Sequence, residues 1–143
     1  MTLRIKRSDS VRTAAAIWAR ATARRDGQPA SVESQLPGVR RRLAQGGVLH
    51  IAFRGEDAVG FTILVGAELV YLAVDPQAWG SGVAGALLTH VDDQARLAGI
   101  SDLELWVIAG NERAIAVYER AGWTRTSDVT SGERRLVRKL TAD

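Results

Sequence analysis

Val74-Asp75-Pro76-Gln77-Ala78-Trp79-Gly80-Ser81-Gly82-Val83-Ala84-Gly85-Ala86-Leu87-Leu88 is the stretch whose reading decides the fold. Before it, Glu68 to Val74 is an apolar run of strand length that Pro76 stops. After it, apolar residues recur at 84, 87, 88, 91, 95 and 98, a helical stripe closed by Gly99. A strand therefore feeds a helix through a glycine turn. Gly80 and Gly82 put no Cβ in the way, so successive N–H groups can converge on an anion at the positive end of the helix. Plain helix–strand packing would use the same glycines. The turn lacks the Lys-Ser/Thr of a P-loop and follows a meander instead of opening a βαβ unit. A nucleoside triphosphate or dinucleotide site is thus poorly supported, and a diphosphate held mainly by backbone amides remains.

Working outward, Val48 to Phe53 and Ala58 to Val65 read as strands around a turn at Gly55-Glu56-Asp57, and Gly66-Ala67 links tightly into the strand from Glu68. Leu3 to Arg7 alternates as an edge-like first strand. Ser8 or Asp9 is the expected cap of a helix through Val11 to Arg24, broken at Asp26-Gly27-Gln28-Pro29. A second helix opens at Ser31 and runs to about Ala44, before Gly46-Gly47. Beyond the glycine turn, Leu103, Leu105 and Val107 alternate as a strand. Asn111 caps a helix ending at Ala121 with Gly122 after it, and two short strands near Trp123 and from Arg134 to Leu140 finish the chain. The order is βααβββαβαββ, one mixed α/β domain over residues 1–143 without repeats or linkers.

A length of 143 residues suits one core, and 46% hydrophobic with 24% charged residues is ordinary for a folded domain. The amino terminus has no apolar stretch to read as a secretory signal, and the run from Val59 to Val74 is broken by Glu68. The expectation is a cytoplasmic protein with no membrane partner. With zero cysteines there is no thiolate metal site and no Cys nucleophile, and no metal is expected. Residues 1–54 hold 11 basic and 3 acidic groups, a net +8, leaving −5 for the remainder. That asymmetry can steer an anionic partner or simply draw two halves of one fold together. Arg40-Arg41-Arg42 has no interleaved aromatics to stack bases, so nucleic acid is not an expected partner.

The second informative segment is Asn111-Glu112-Arg113-Ala114-Ile115-Ala116-Val117-Tyr118-Glu119-Arg120-Ala121-Gly122-Trp123. Asn111 can cap the helix, Ala114 leaves room against its backbone, and Tyr118 lies one turn further on the same face. Read alone, Tyr118 is either a proton donor or a core tyrosine, and Asn111 either a cap or a ligand contact. The segment resembles Asn-x-x-Ala-x-x-x-Tyr-x-x-x-Gly-Phe, the second signature of the GNAT acetyltransferases, with Trp123 in the aromatic slot. The glycine turn resembles that family's first motif, Arg or Gln followed by Gly-x-Gly-x-Gly/Ala, with Gly80, Gly82 and Ala84 in register. Trp79 departs from it at the Arg/Gln position. Trp cannot pair with a phosphate through a charge, so that arm of the site is expected to rely on amides and packing.

The resemblance implies a GNAT fold whose fourth and fifth strands splay, acetyl-CoA as acyl donor, and an amine-bearing small molecule or peptide as acceptor, with a homodimer common in such proteins. It implies cofactor contacts from Trp79, Gly80, Ser81, Gly82, Val83, Ala84 and Gly85, from Asn111, Ala114 and Tyr118, and from the strand backbone at Leu72 and Val74. There the Leu72 N–H polarises the thioester carbonyl and Val74 pairs with the pantetheine arm. Tyr118 takes the role of general acid toward the thiolate. Ala67-Glu68-Leu69-Val70-Tyr71-Leu72-Ala73-Val74 resembles the corresponding strand of the histone acetyltransferase branch, whose Glu is the base, which makes Glu68 the first candidate base here. His50 or a water chain is the alternative, His90 is expected to face solvent, and Trp106 either walls the acceptor pocket or covers core. A non-catalytic acyl-CoA sensor is the competing reading.

Overall fold

The computed structural model describes residues 2–140. Its elements are β1 (Leu3–Ser8), α1 (Val11–Asp26), α2 (Val32–Ala44), β2 (Val48–Arg54), β3 (Asp57–Val65), β4 (Glu68–Val74), a 3-10 turn at Pro76–Ala78, α3 (Val83–Leu97), β5 (Asp102–Ile108), α4 (Glu112–Arg120), β6 (Thr124–Thr130) and β7 (Glu133–Lys139). The expected order holds. The strands form one seven-stranded sheet in the order β1-β2-β3-β4-β5-β7-β6. Every neighbouring pair is antiparallel except β4 and β5, which are parallel and in register only at Glu68 and Glu104. Glu104 N–H donates to Ala67 O at 3.0 Å at that joined end. From there the two strands part toward Val74 and Ile108, and the GNAT-like splay is present.

Helices cover both faces. On one, Ala14, Ala15 and Ile17 of α1 and Leu36 and Val39 of α2 pack on Leu49, Ile51, Phe61, Ile63 and Ala73. On the other, Leu88, Val91 and Ala95 of α3 and Ile115 of α4 pack on Leu64, Leu69, Leu103, Leu105 and Leu136, with Trp123 closing the group. A third cluster, Ala52, Val74, Ala78, Val83 and Leu87, ties the start of α3 to β2 and β4. Burial of each Leu- or Ile-sized side chain contributes roughly 1.5–3 kcal/mol, so these clusters fix where the glycine turn and α4 sit relative to the gap.

Three local expectations change. The α1 cap is Ser10, whose Oγ accepts from Thr13 N–H, because β1 runs on through Ser8, which pairs with Leu49. The buried stripe of α3 starts at Val83 instead of Ala84 and ends at Ala95, leaving Ala98 exposed as the C-cap. β6 continues well past Trp123, to Thr130, because it pairs along β7. Among the described residues no helix is long and apolar enough to cross a membrane.

Candidate functional site

The turn between β4 and α3 is built by short-range hydrogen bonds. Asp75 caps the 3-10 turn, its carboxylate accepting from Gln77 N–H at 3.1 Å, and Arg20 of α1 holds the same carboxylate at 2.7 Å. Gly80 and Gly82 then adopt φ of 78° and 90°, left-handed conformations that a side chain would strain. Gly82 is the N-cap of α3 and supplies no side-chain cap, so the first amides of the helix have no side-chain acceptor. A Cβ built on Gly80, Gly82 or Gly85 meets nothing within 4 Å, so no neighbouring atom crowds these three positions. An uncapped helix start of this kind fits an anion such as a diphosphate. Ser81 contributes differently from its neighbours, because its hydroxyl donates back to Ala78 O and accepts from Arg54 at 3.3 Å. Only its backbone remains for a ligand.

Trp79 does more than pack. Its Nε1 donates to Val74 O at 2.8 Å, which fixes the ring, and guanidinium carbons of two arginines lie over that ring. Arg113, at the start of α4, is 4.5 Å from the ring centroid, and Arg24, near the end of α1, is 5.7 Å away. Positive charge thus stands beside Trp79, which carries none of its own. The fold brings in from α1 and α4 what residue 79 does not carry.

The backbone of β4 also faces the gap. Asp75 N–H donates to Val59 O on β3 at 2.8 Å, and groups along a strand alternate sides. Leu72 and Val74 therefore direct their N–H and C=O groups away from β3, toward the opening between β4 and β5. The Val74 carbonyl is taken by Trp79, which leaves its N–H.

Helix α4 places the second motif beside the turn, as the Arg113–Trp79 contact shows. Asn111 is its N-cap, with Oδ1 accepting from Ala114 N–H at 3.2 Å, so the cap reading of Asn111 holds and only its amide nitrogen stays free. Tyr118 is half-buried against the α3–α4 core, its ring 6.1 Å from that of Trp123. These apolar surroundings push its phenol up to about 12, and burial is the whole cause. The group is a neutral O–H donor across the range in which an enzyme works.

The remaining candidates lie on β4, β2, α3 and β5. Glu68 is half-buried at the joined end of β4 and β5, lining a recess with Ala67, Asp102 and Glu104, where Arg135 pairs with Glu104 at 2.9 Å. His50 lies in β2 with its ring 4.5 Å from that of His90, which corrects the expectation that His90 faces solvent: α3 turns it onto the sheet. His50 Nδ1 and His90 Nε2 are buried without a hydrogen-bond partner among the described residues. Desolvation, then His90 and Arg7, push His50 down to about 4, a poor proton acceptor at neutral pH. Trp106 is half-buried on β5, in register with Arg135. Among the described residues no cluster of His, Cys, Asp and Glu could hold a metal ion.

With this geometry in place, the chain can be compared with known proteins. A match to the acetyltransferase (GNAT) family runs over residues 14–123, from α1 through Trp123. The chain belongs to that family. Among curated GNAT relatives, it is 37% identical over 70 residues to the [ribosomal protein bS18]-alanine N-acetyltransferase of Escherichia coli, covering 49% of this chain and 47% of that protein. It is 42% identical over 57 residues to a mycothiol acetyltransferase of Beutenbergia cavernae, covering 40% of this chain and 19% of the other. The aligned part is thus less than half the length of either relative. Among solved structures, the PaiA N-acetyltransferase of Thermoplasma acidophilum in complex with coenzyme A superposes with a TM-score of 0.81 at 17% identity, covering 98% of this chain and 100% of that one. YjaB of Escherichia coli, solved in its apo form, gives 0.71 at 27% identity, with 100% of both chains covered. The GNAT fold therefore extends over the whole described chain, beyond the segment that the sequence motifs mark.

Proposed function

We propose that this chain is an acetyl-CoA-dependent N-acetyltransferase that moves the acetyl group directly to a primary amine on a small molecule or peptide. The observation that supports the reading is the Arg113–Trp79 contact, which sets α4, the helix of Tyr118, beside a glycine turn whose helix start has no side-chain cap. Acetyl-CoA, when bound, supplies the activated thioester. Val83, Ala84 and Gly85 offer α3 amides to its diphosphate, and Val74 N–H is free to pair with the pantetheine arm. Leu72 N–H is aimed where the carbonyl oxygen gains negative charge as the amine nitrogen attacks. Tyr118 gives its proton to sulfur as the carbon–sulfur bond breaks, and solvent restores it. The absence of cysteine from the chain fits direct transfer, without an acyl group carried on a thiol of the protein.

The ammonium form of the acceptor must first lose a proton. Glu68, at the joined end of β4 and β5, is the candidate base, acting directly or through water. His50, held neutral near the α3 face, is the weaker one. The relatives named for acting on an alanine of a ribosomal protein and on mycothiol bracket peptide and small-molecule acceptors. Thiol release from acetyl-CoA, measured across a panel of amines, tests the reading. Acceleration by at least one amine supports it. Binding of acetyl-CoA with no acceleration by any amine would favour a sensor of acyl-CoA instead. A Glu68→Gln variant with unchanged turnover would move proton removal to bulk water.

A further inference from the structure

The glycine turn is ringed by three guanidinium groups that the motif does not specify. Arg113 and Arg24 lie over the Trp79 ring, and Arg54, at the end of β2, reaches the Ser81 hydroxyl at 3.3 Å. They come from α4, α1 and β2, elements far apart in sequence. None of the three takes part in an ion pair with a carboxylate among the described residues, whereas Arg12, Arg20, Arg25, Arg96, Arg125, Arg135 and Arg138 all do. Three arginines without a carboxylate partner thus lie beside an uncapped helix start that is itself electropositive.

The mode of contact matters as much as the charge. A guanidinium bound to a carboxylate spends its in-plane N–H donors on that partner. One lying over an indole is held through its face and keeps the donors at its edge free. Trp79, locked by its hydrogen bond to Val74 O, is in this sense a platform that gathers two cations and leaves them able to bind. Phosphate oxygens suit those donors, because a planar fork binds them in pairs. Coenzyme A carries a diphosphate and a ribose 3′-phosphate, more negative charge than the turn amides alone would balance.

Resting on the proposed function, we infer that Trp79 positions Arg113 and Arg24 to bind the phosphates of the acyl donor, with Arg54 as a third contact. The trio replaces the single Arg or Gln that the motif usually places at residue 79. Arg24, Arg54 and Arg113 determine affinity for the phosphorylated end of the donor and leave acetyl transfer itself untouched.

The test is calorimetric titration of the full chain with coenzyme A at low and high salt, alongside steady-state kinetics with acetyl-CoA. Arg113→Gln and Arg24→Gln are each expected to weaken coenzyme A binding by about tenfold and to flatten its salt dependence. They should raise KM for acetyl-CoA and leave kcat at saturation unchanged. Trp79→Leu should weaken binding similarly, with little further loss on adding Arg113→Gln, because that arginine acts through the ring. Trp79→Phe, which keeps an aromatic face, should retain most of the affinity. Arg40→Gln, a change on the exposed face of α2, is the control and should behave as the unmodified chain. Arginine variants within about twofold of the unmodified chain, or no different from Arg40→Gln, would overturn the inference while leaving the acetyltransferase reading intact. No binding of coenzyme A by the unmodified chain would instead overturn that reading.

Discussion

Replacing Tyr118 by phenylalanine removes one oxygen from a ring that is otherwise held by packing, which makes it a clean separation of chemistry from folding. The ring packs against the α3–α4 core and Trp123, and those contacts survive the change. Burial raises the phenol, and no hydrogen bond to it is made among the described residues, so deleting the hydroxyl breaks none of their bonds. Stability should therefore stay within about 0.5 kcal/mol of the unmodified chain. Activity should not. A positioned general acid contributes about 10²–10⁴-fold, or roughly 2.7–5.4 kcal/mol of barrier. The assay is thiol release from acetyl-CoA with an accepted amine at saturating donor, run beside a thermal melt of the same preparation. Because the phenol is pushed up to about 12, no basic limb of the unmodified pH–rate profile below that value should belong to it. Full turnover in Tyr118→Phe would refute the assigned role. A fall in turnover matched by a large loss of melting temperature would show instead that the residue acts through packing.

Three further expectations follow from the geometry. Gly82→Ala forces a side chain into φ of 90° at the start of α3 and should cost about 1–2 kcal/mol in a thermal melt, with weaker coenzyme A binding by calorimetry. Ile115→Ala empties a fully buried position of α4 and should destabilise by about 2–5 kcal/mol, measured by urea unfolding. His50 is held at about 4 in the fold against an ordinary 6.5, so the unfolded chain binds the proton more readily. Its contribution is complete above 6.5 and is lost as pH falls toward 4. A melting temperature that drops over that interval, and drops less in His50→Asn, would agree; identical pH profiles would not.

Much of this was legible in the residues. The strand, glycine turn and helix are written in local chemistry: Pro76 ends the strand, Gly80 and Gly82 adopt the conformations only glycine takes easily, and Asn111 caps α4 as its side chain predicts. The position of His90 was readable too, since it follows Leu87 by three residues and precedes Val91, at the rim of the buried stripe. Less accessible was anything created by distance in sequence. Arg24 ends one helix, Arg54 ends a strand and Arg113 starts another helix, and nothing in their neighbours announces that Trp79 and Ser81 will draw them together. Arg113 alone carried a hint, lying inside the second motif and next to Ala114. Glu68 shows the converse, because its place in the strand pattern says nothing about its pairing with Glu104 at the one joined end of β4 and β5.

The lone bridge between Glu68 and Glu104 makes the sheet resemble two boards joined at one corner. One face of β2 to β4 leans on α1 and α2, while α3 lies against β3 and β4 on the other face and shares a core with α4, β5 and β7. A molecule lying in the wedge and bonded to both sides is then a mortise between them as well as a reactant. At a concentration one hundred times its dissociation constant it would add about 2.7 kcal/mol to the assembled form. Amides along the open edges of β4 and β5 should exchange with solvent more slowly once the wedge is filled. In this protein, occupancy and cohesion are two readings of one event.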